Sequence, residues 1–212
     1  AVWQPTLMVF GTYRSAVQAF HNGDETASEW VNRLDLLANV ELTKTERILV
    51  GVQPLSEEGR FTGYIFDPNA TSESGFDDEY NLELTTLFFE GDIGELIPNA
   101  DPDDVKGLDL GFSVGLQPMK FQEGMLINDS IEAIGITRNT LLPKGTSNLQ
   151  LTFIYGWDDI HRDDNVQYDD LHLFGIFTST DFHRNTVRAD FVYVEDENAD
   201  ADGAYWGVSS IQ

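Results

Sequence analysis

Residues 107–139 read GLDLGFSVGLQPMKFQEGMLINDSIEAIGITRN, and the first eleven of them alternate between two kinds of side chain. One set is apolar: Leu108, Leu110, Phe112, Val114 and Leu116. The other set is polar or small: Asp109, Gly111, Ser113, Gly115 and Gln117. Residues i and i+2 share a face only in an extended chain, so the alternation predicts a β-strand with one apolar and one polar face.

The same period of two recurs in nine further segments, which gives about ten predicted strands and few convincing helices. They are TLMVFGTYR (6–14), RLDLLANVEL (33–42), RILVGVQP (47–54), NLELTTLFF (81–89), SIEAIGITRN (130–139), NLQLTFIYGWDD (148–159), DLHLFGIFTS (170–179), TVRADFVYVED (186–196) and GAYWGVSSI (203–211). Residues 26–42 also fit a helix that begins with a capping box at Thr26–Glu29. The strand is favoured there because VELTKTERILV (40–50) then forms a hairpin.

The predicted connections differ in length and charge. Odd-numbered connections are mostly longer and carry most of the 37 acidic residues, whereas even-numbered connections are mostly shorter. Because an up-and-down meander places alternate connections at opposite ends, we expect the long acidic loops at one end and the tight turns at the other. An outer-membrane barrel has this asymmetry.

Composition excludes several classes of function. The formal net charge of −25 opposes the basic footprint by which proteins usually bind nucleic acid. The absence of cysteine excludes disulfides and thiolate catalysis. No run of eighteen apolar residues is present, so no transmembrane helix is predicted. This test does not detect transmembrane barrels, whose strands alternate.

The segment from Gly115 to Asp129 resembles porin-like outer-membrane barrels of Gram-negative bacteria, particularly the alginate-export and related porin group. The matching residues are Gly115, Gln117, Pro118, Phe121, Gly124, Leu126, Ile127 and Asp129. The arginine of the family's pattern is Leu116 here, which cannot supply a basic constriction. The resemblance implies a transmembrane β-barrel over residues 1–212. The family's barrels have more than ten strands, so we expect this chain to be the N-terminal portion of a larger barrel. Ten is an even number of strands, so a single closed barrel domain over 1–212 is the alternative.

The resemblance also implies a bacterial outer-membrane location and passive diffusion of small hydrophilic solutes, without enzymatic activity. It identifies residues 119–129 with the family's loop that folds into the lumen and narrows it. The candidate pore-lining residues are Arg33, Asp35, Glu41, Gln117, Phe121, Glu123, Arg138, Arg188 and Asp190. Expected partners are outer-membrane lipid and lipopolysaccharide, whose phosphates divalent cations would bridge to the acidic loops.

A soluble extracellular β-sandwich that binds carbohydrate or calcium is the alternative, because it also has one apolar and one polar face on each strand. Asn198, Asp200 and Asp202 resemble the start of a calcium loop, but Ser209 stands where a bidentate glutamate is required. No cofactor is therefore predicted beyond a possible Ca²⁺ ion at the acidic loops. The His161–His172 connection is acidic but matches no closed metal site.

Two smaller motifs have structural interpretations. Ser113 lies in GFSVG, a literal G-x-S-x-G, but inside an alternating strand rather than at a strand-to-helix turn.

The stretches VGVQPL (50–55) and VGLQPM (114–119) each end an alternating run with a proline. Since proline cannot donate a hydrogen bond to a ladder, both predict a point where a strand leaves its sheet.

Overall fold

The structure is a computed structural model that describes residues 3–21, 23, 26–57, 60–67, 74–96, 110–161, 167–168, 170–196 and 202–212. These residues form sixteen strands, one short α-helix and one 3₁₀ turn. The strands are β1 (Thr6–His21), β2 (Thr26–Glu41), β3 (Arg47–Val52), β4 (Ser56–Glu57), β5 (Arg60–Phe61), β6 (Gly63–Asp67), β7 (Gly75–Asp77), β8 (Leu84–Asp92), β9 (Leu110–Phe121), β10 (Ile127–Leu141), β11 (Asn148–Asp158), β12 (Ile160–His161), β13 (Gln167–Tyr168), β14 (Leu171–Asp181), β15 (Thr186–Asp196) and β16 (Gly203–Ile211). The helix α1 is Ile93–Leu96, and the turn is Gln122–Gly124.

All ten predicted strands are present, and they correspond to β1, β2, β3, β8, β9, β10, β11, β14, β15 and β16. The other six strands are two to five residues long and lie in the connections at 56–77 and 160–168. The helical alternative for residues 26–42 is wrong, because these residues form β2. No helix in the described residues has the length and hydropathy of a membrane span.

The chain divides into two compact units. The larger unit comprises Ala1–Thr6, Val40–Ile48 and Thr86–Gln212, and the smaller comprises Leu7–Asn39 and Leu49–Thr85. The prediction of one barrel domain over 1–212 stays a prediction.

Within the larger unit the strand order is β8-β9-β10-β11-β14-β15-β16, and the neighbours pair antiparallel. Each long strand lies beside the next long strand in the sequence. The prediction of an all-β, antiparallel, up-and-down meander is therefore confirmed. No pairing among the described strands closes the sheet into a barrel, so the transmembrane barrel stays a prediction.

Alternate residues of the larger unit's strands define two faces. One row across five strands is Ile136, Phe153, Ile176, Phe191 and Trp206, each opposite the next in register. We name this row the apolar row and its side of the sheet the apolar face. The other side has the parallel row Ala133, Gly156, Leu173 and Val194.

The core of the larger unit lies on that second side. The segment of residues 121–127, which we name the strap, connects β9 to β10 and packs there. The buried cluster comprises Met119, Ile127, Ile131, Ala133, Ile154, Ile160, Leu171, Leu173, Phe177, Val192 and Val194, with Phe121 and Leu126 against it. We name this side the covered face.

The smaller unit contains β1, most of β2, β6 and β7. β2 pairs with β6, with Val31 opposite Gly63, and β6 pairs with β7. β1 also pairs with β2. The Tyr13 hydroxyl donates to Asn32 Oδ1 at 2.6 Å across that pair.

The two prolines behave differently. β3 ends at Val52, so Pro54 follows the strand as predicted. β9 continues past Pro118 to Phe121, with Pro118 opposite Ser130 of β10, so the predicted exit at Pro118 is wrong. Pairing of β9 with β8 extends only from Gly111 to Leu116. Pro118 therefore lies beyond the described β8–β9 pairing, where a backbone N–H directed to that edge would have no partner in β8.

Gly115 provides a test of the β8–β9 contact. Its φ is +122°, and a Cβ there would lie 2.3 Å from Leu87 O and 3.0 Å from Phe88 Cα. Both neighbours are backbone atoms, so Gly115→Ala should lower the free energy of unfolding by about 2 kcal/mol or more. Chemical denaturation followed by tryptophan fluorescence measures this.

Gly111→Ala is the matched control in the same strand. A Cβ there meets nothing closer than Thr137 O at 3.8 Å. Equal loss of stability in the two variants would contradict the close approach at Gly115.

Candidate functional site

The strap turns onto the covered face through three residues with left-handed backbone. Gln122, Glu123 and Gly124 have φ of 51°, 58° and 89°. This region is uncommon for residues other than glycine and costs free energy, so it persists only where surrounding contacts hold it. The contacts of Phe121, Gln122 and Glu123 supply that support.

Phe121 and Gln122 fix the strap to the sheet. The Phe121 ring stacks on Phe177 of β14, with centroids 3.6 Å apart. Gln122 Nε2 donates to Asp190 Oδ2 at 2.7 Å and lies 3.4 Å from Gly207 O. A Cβ at Gly207 would lie 2.8 Å from Gln122 Cγ, so the absence of a side chain in β16 makes room for the amide.

Asp190 is a buried carboxylate at the centre of these contacts, with 6% of its surface exposed. Its Oδ1 accepts from the Thr178 backbone N–H at 3.1 Å, and its Oδ2 accepts from Gln122. A buried charge is tolerated when hydrogen bonds replace its water, which is what the two donors do. Moving the strap would therefore take a hydrogen-bond donor, Gln122, away from the buried Asp190 carboxylate.

Arg188 and Glu123 place opposite charges beside Asp190. Arg188 Nη1 lies 3.0 Å from Glu123 Oε1, and both side chains are substantially exposed. An exposed pair of this kind contributes little to stability. Its charges remain available to act on ions in the adjoining water.

A cavity of 240 Å³ lies beside this pair. Its lining is mostly polar: Lys120, Phe121, Gln122, Gln150, Thr152, Phe177, Thr178, Ser179, Arg188 and Asp190. The structure thus brings together four of the predicted pore-lining residues, namely Phe121, Glu123, Arg188 and Asp190.

The remaining predicted residues lie elsewhere. Gln117 shares the covered face and donates to Ala133 O at 3.1 Å. Glu41 is exposed and accepts from Thr6 Oγ1 at 3.0 Å. In the smaller unit, Arg33 Nε donates to both oxygens of Asp35, at 2.9 and 3.1 Å.

Arg138 requires a correction of its placement. The sequence prediction put it on the same polar face as Arg188, but its register partners are Leu110 and Leu151. It shares the apolar face with Ile134 and Ile136, because in β10 the other phase of the alternation is occupied by Ala133 and Gly135.

The metal candidates gain no support. Asp202 accepts from Tyr193 Oη at 2.8 Å and from the Asp196 N–H at 3.2 Å, whereas Asn198 and Asp200 lie outside the described residues. His161 contacts Asp129, and His172 contacts Tyr155. Within the described ranges no group of three or more His, Cys, Asp or Glu could hold a metal ion.

Ser113 lies in the interior of β9, opposite Gly135 on one side and Glu90 on the other. The strand continues for eight residues beyond it. The strand-to-helix turn of a nucleophile elbow is thus not present at this serine.

The opposite side of the sheet exposes a continuous apolar surface. The residues of the apolar row are 39% to 75% exposed. The adjacent row comprises Ile134, Tyr155, Phe174 and Tyr193. Contiguous exposed patches of this kind mark surfaces that contact a protein, a ligand or a membrane.

Comparisons with known proteins identify no relative: no protein-family model, no curated protein and no solved structure matches this chain.

An acidic cluster follows β11 at the turn around Asp159. Burial raises the pKa of the Asp159 carboxyl, and the charges of Asp158, Glu132 and Asp129 raise it further, while His161 lowers it. A raised pKa means that the folded chain holds the proton more tightly than the unfolded chain. Stability therefore falls as pH rises from the ordinary value of 3.8 through the raised pKa.

Asp159→Asn should remove this loss. The variant should be more stable than the unaltered chain at pH 7 and nearly equal to it at pH 3, since Asp159 is then protonated in both states. Asparagine also tolerates the φ of 58° at this position. Denaturant midpoints at the two pH values measure the difference. Glu195→Gln, at an exposed carboxylate, is the control, and an equal gain there would contradict the assignment.

Proposed function

We propose that this chain is part or all of an outer-membrane β-barrel that passes small hydrophilic solutes by diffusion, with no covalent step. The observation that carries the proposal is the exposed apolar row across β10, β11, β14, β15 and β16, on the side of the sheet opposite the strap. In water such a row favours association, whereas in a bilayer it is the surface that lipid chains solvate.

The dimensions of the apolar face support a lipid contact. In β11 the same-face residues run from Leu149 to Trp157, about 26 Å along the strand at a rise of about 3.3 Å per residue. At the tilt of about 40° that strands have in outer-membrane barrels, this length spans about 20 Å of their roughly 25 Å apolar band. Tyr155, Trp157 and Tyr193 lie toward one edge of this surface, which suits aromatic side chains at a lipid–water interface.

The covered face would then line the lumen, and the strap would narrow it. Glu123 and Arg188 place opposite charges beside the 240 Å³ cavity. Charged side chains in such a constriction select among permeating ions and solutes by their fields. The strap's attachment through Gln122 and Asp190 makes the narrowing a fixed feature of the sheet.

The proposed function also implies a cellular location and molecular partners. The chain would lie in the bacterial outer membrane, with its acidic connections facing outward. Divalent cations would bridge these carboxylates to lipopolysaccharide phosphates. The net charge of −25 makes nucleic acid an unsuitable partner.

Reconstitution tests the proposal. The detergent-extracted chain should raise the conductance of planar bilayers. Glu123→Gln should lower the K⁺/Cl⁻ permeability ratio, and Arg188→Gln should raise it. A unit charge near a permeating ion in water contributes on the order of 1 kcal/mol, so each change should be about fivefold.

Arg138→Gln is the matched control, because it removes a charge of the same kind from the opposite face. Its permeability ratio should equal that of the unaltered chain. A chain that purifies as a monomer without detergent and leaves bilayers insulating would overturn the proposal, and a melting temperature that rises with sugar or calcium would then favour the soluble β-sandwich.

A further inference from the structure

A second cavity on the covered face, of 360 Å³, is separate from the one beside Arg188. It is bounded by the C-terminal half of the strap and by residues of β10, β12, β14, β15 and β16. Its size falls within the range of about 300–1,000 Å³ that small-molecule sites occupy. The cavity is therefore large enough to hold a small organic molecule.

One side of this cavity is apolar. Ile131, Leu173, Val192 and Val194 form it, with Ile160 beside them, and each of the five is at most 6% exposed. Water in contact with such a surface is displaced favourably by an apolar group. A ligand with a hydrocarbon body would gain free energy here that a fully hydrophilic solute would not.

The other side of the cavity carries a carboxylate. Asp129 accepts from the backbone N–H of His161 at 2.8 Å, and the His161 ring Nδ1 lies 3.1 Å from Asp129 Oδ1. The Ser130 N–H also donates to it at 2.8 Å. These contacts hold the carboxylate in place at the cavity, where it favours a ligand that brings hydrogen-bond donors.

The charge around Asp129 favours a cationic ligand over a neutral one. Asp159 lies close enough to Asp129 to interact with it, because the charge of Asp129 raises the pKa of the Asp159 carboxyl, whereas His161 lowers it. A positive group beside Asp129 would meet this negative field, and a negative group would be repelled by it.

We propose that this cavity is a binding subsite for a small organic cation, a molecule with an apolar body and an ammonium group beside Asp129. The proposal deepens the proposed function, on which it rests for the placement of the covered face along a solute pathway. It names the class of solute that would be retained before the constriction.

Three small molecules separate the contributions of charge and hydrocarbon. Phenethylamine carries a ring and a positive charge, phenylacetate a ring and a negative charge, and ethylamine a positive charge without a ring. Calorimetric titration of the detergent-solubilised chain, with a protein-free micelle blank, should show phenethylamine binding at least about tenfold more tightly than either of the others.

Asp129→Asn should weaken phenethylamine binding about tenfold or more, because it removes the charge that pairs with the ammonium group. Glu195→Gln removes one negative charge from an exposed position on the apolar face and should leave binding unchanged. If Asp129→Asn does not fold, the comparison of the three molecules on the unaltered chain decides the matter. Equal binding of phenylacetate, or binding lost equally in both variants, would overturn the proposal.

This test is independent of conduction. A chain that conducts ions but binds none of the three molecules retains the proposed function and loses the subsite. A chain that binds phenethylamine through Asp129 but leaves bilayers insulating retains the subsite and loses the proposed function.

Discussion

Because an extended chain directs successive side chains to opposite sides, each strand of the larger unit has two independent faces. Antiparallel pairing extends this division across the sheet, since residues opposite each other in register share a face. A one-residue shift of any one of these strands would turn its apolar residue, Phe153, Ile176 or Phe191, to the strap side. Everything proposed for this chain depends on that division.

The strap makes the two faces of the sheet different, because it covers one of them. On the covered face, small residues in the sheet leave room for another piece of chain, and Gly207 leaves space for the Gln122 side chain. The buried carboxylate of Asp190 then needs donors, and Gln122 and the Thr178 N–H provide them. On the apolar face no segment of the described chain covers the large side chains. They remain 43% to 75% exposed: Phe153, Phe174, Ile176, Phe191 and Trp206.

The sequence predicted the strands well because alternation is a local property. It could not decide residues 26–42 by itself, where a helix also fitted; the pairing of β2 with β6 settles that choice. Pro118 was misjudged because its tolerance depends on where the β8–β9 pairing stops, which no local pattern records. Arg138 was misplaced because the polar character of one side chain was taken as the guide to its face, whereas its face follows from the phase of β10.

The site was only partly predictable. Phe121 and Glu123 were assigned to a loop that narrows the lumen through the family resemblance, and the strap does place them beside Arg188 and Asp190. Gln122 was missed, because its partner Asp190 lies 68 residues away and a lone glutamine has no distinguishing pattern. Phe177 was missed for the same reason, since its contact with Phe121 depends on the long-range register of β14.

The most direct test of the account is the environment of the apolar row in a bilayer. The chain has no cysteine, so nitroxide labels can be placed singly at Ile176→Cys on the apolar face and at Thr152→Cys on the covered face. Electron paramagnetic resonance in reconstituted vesicles would compare relaxation by oxygen, which concentrates in lipid, with relaxation by a water-soluble nickel chelate. We predict that the label at 176 responds mainly to oxygen and the label at 152 mainly to nickel. Equal and strong response of both labels to nickel would contradict the lipid-facing assignment and the channel proposed from it.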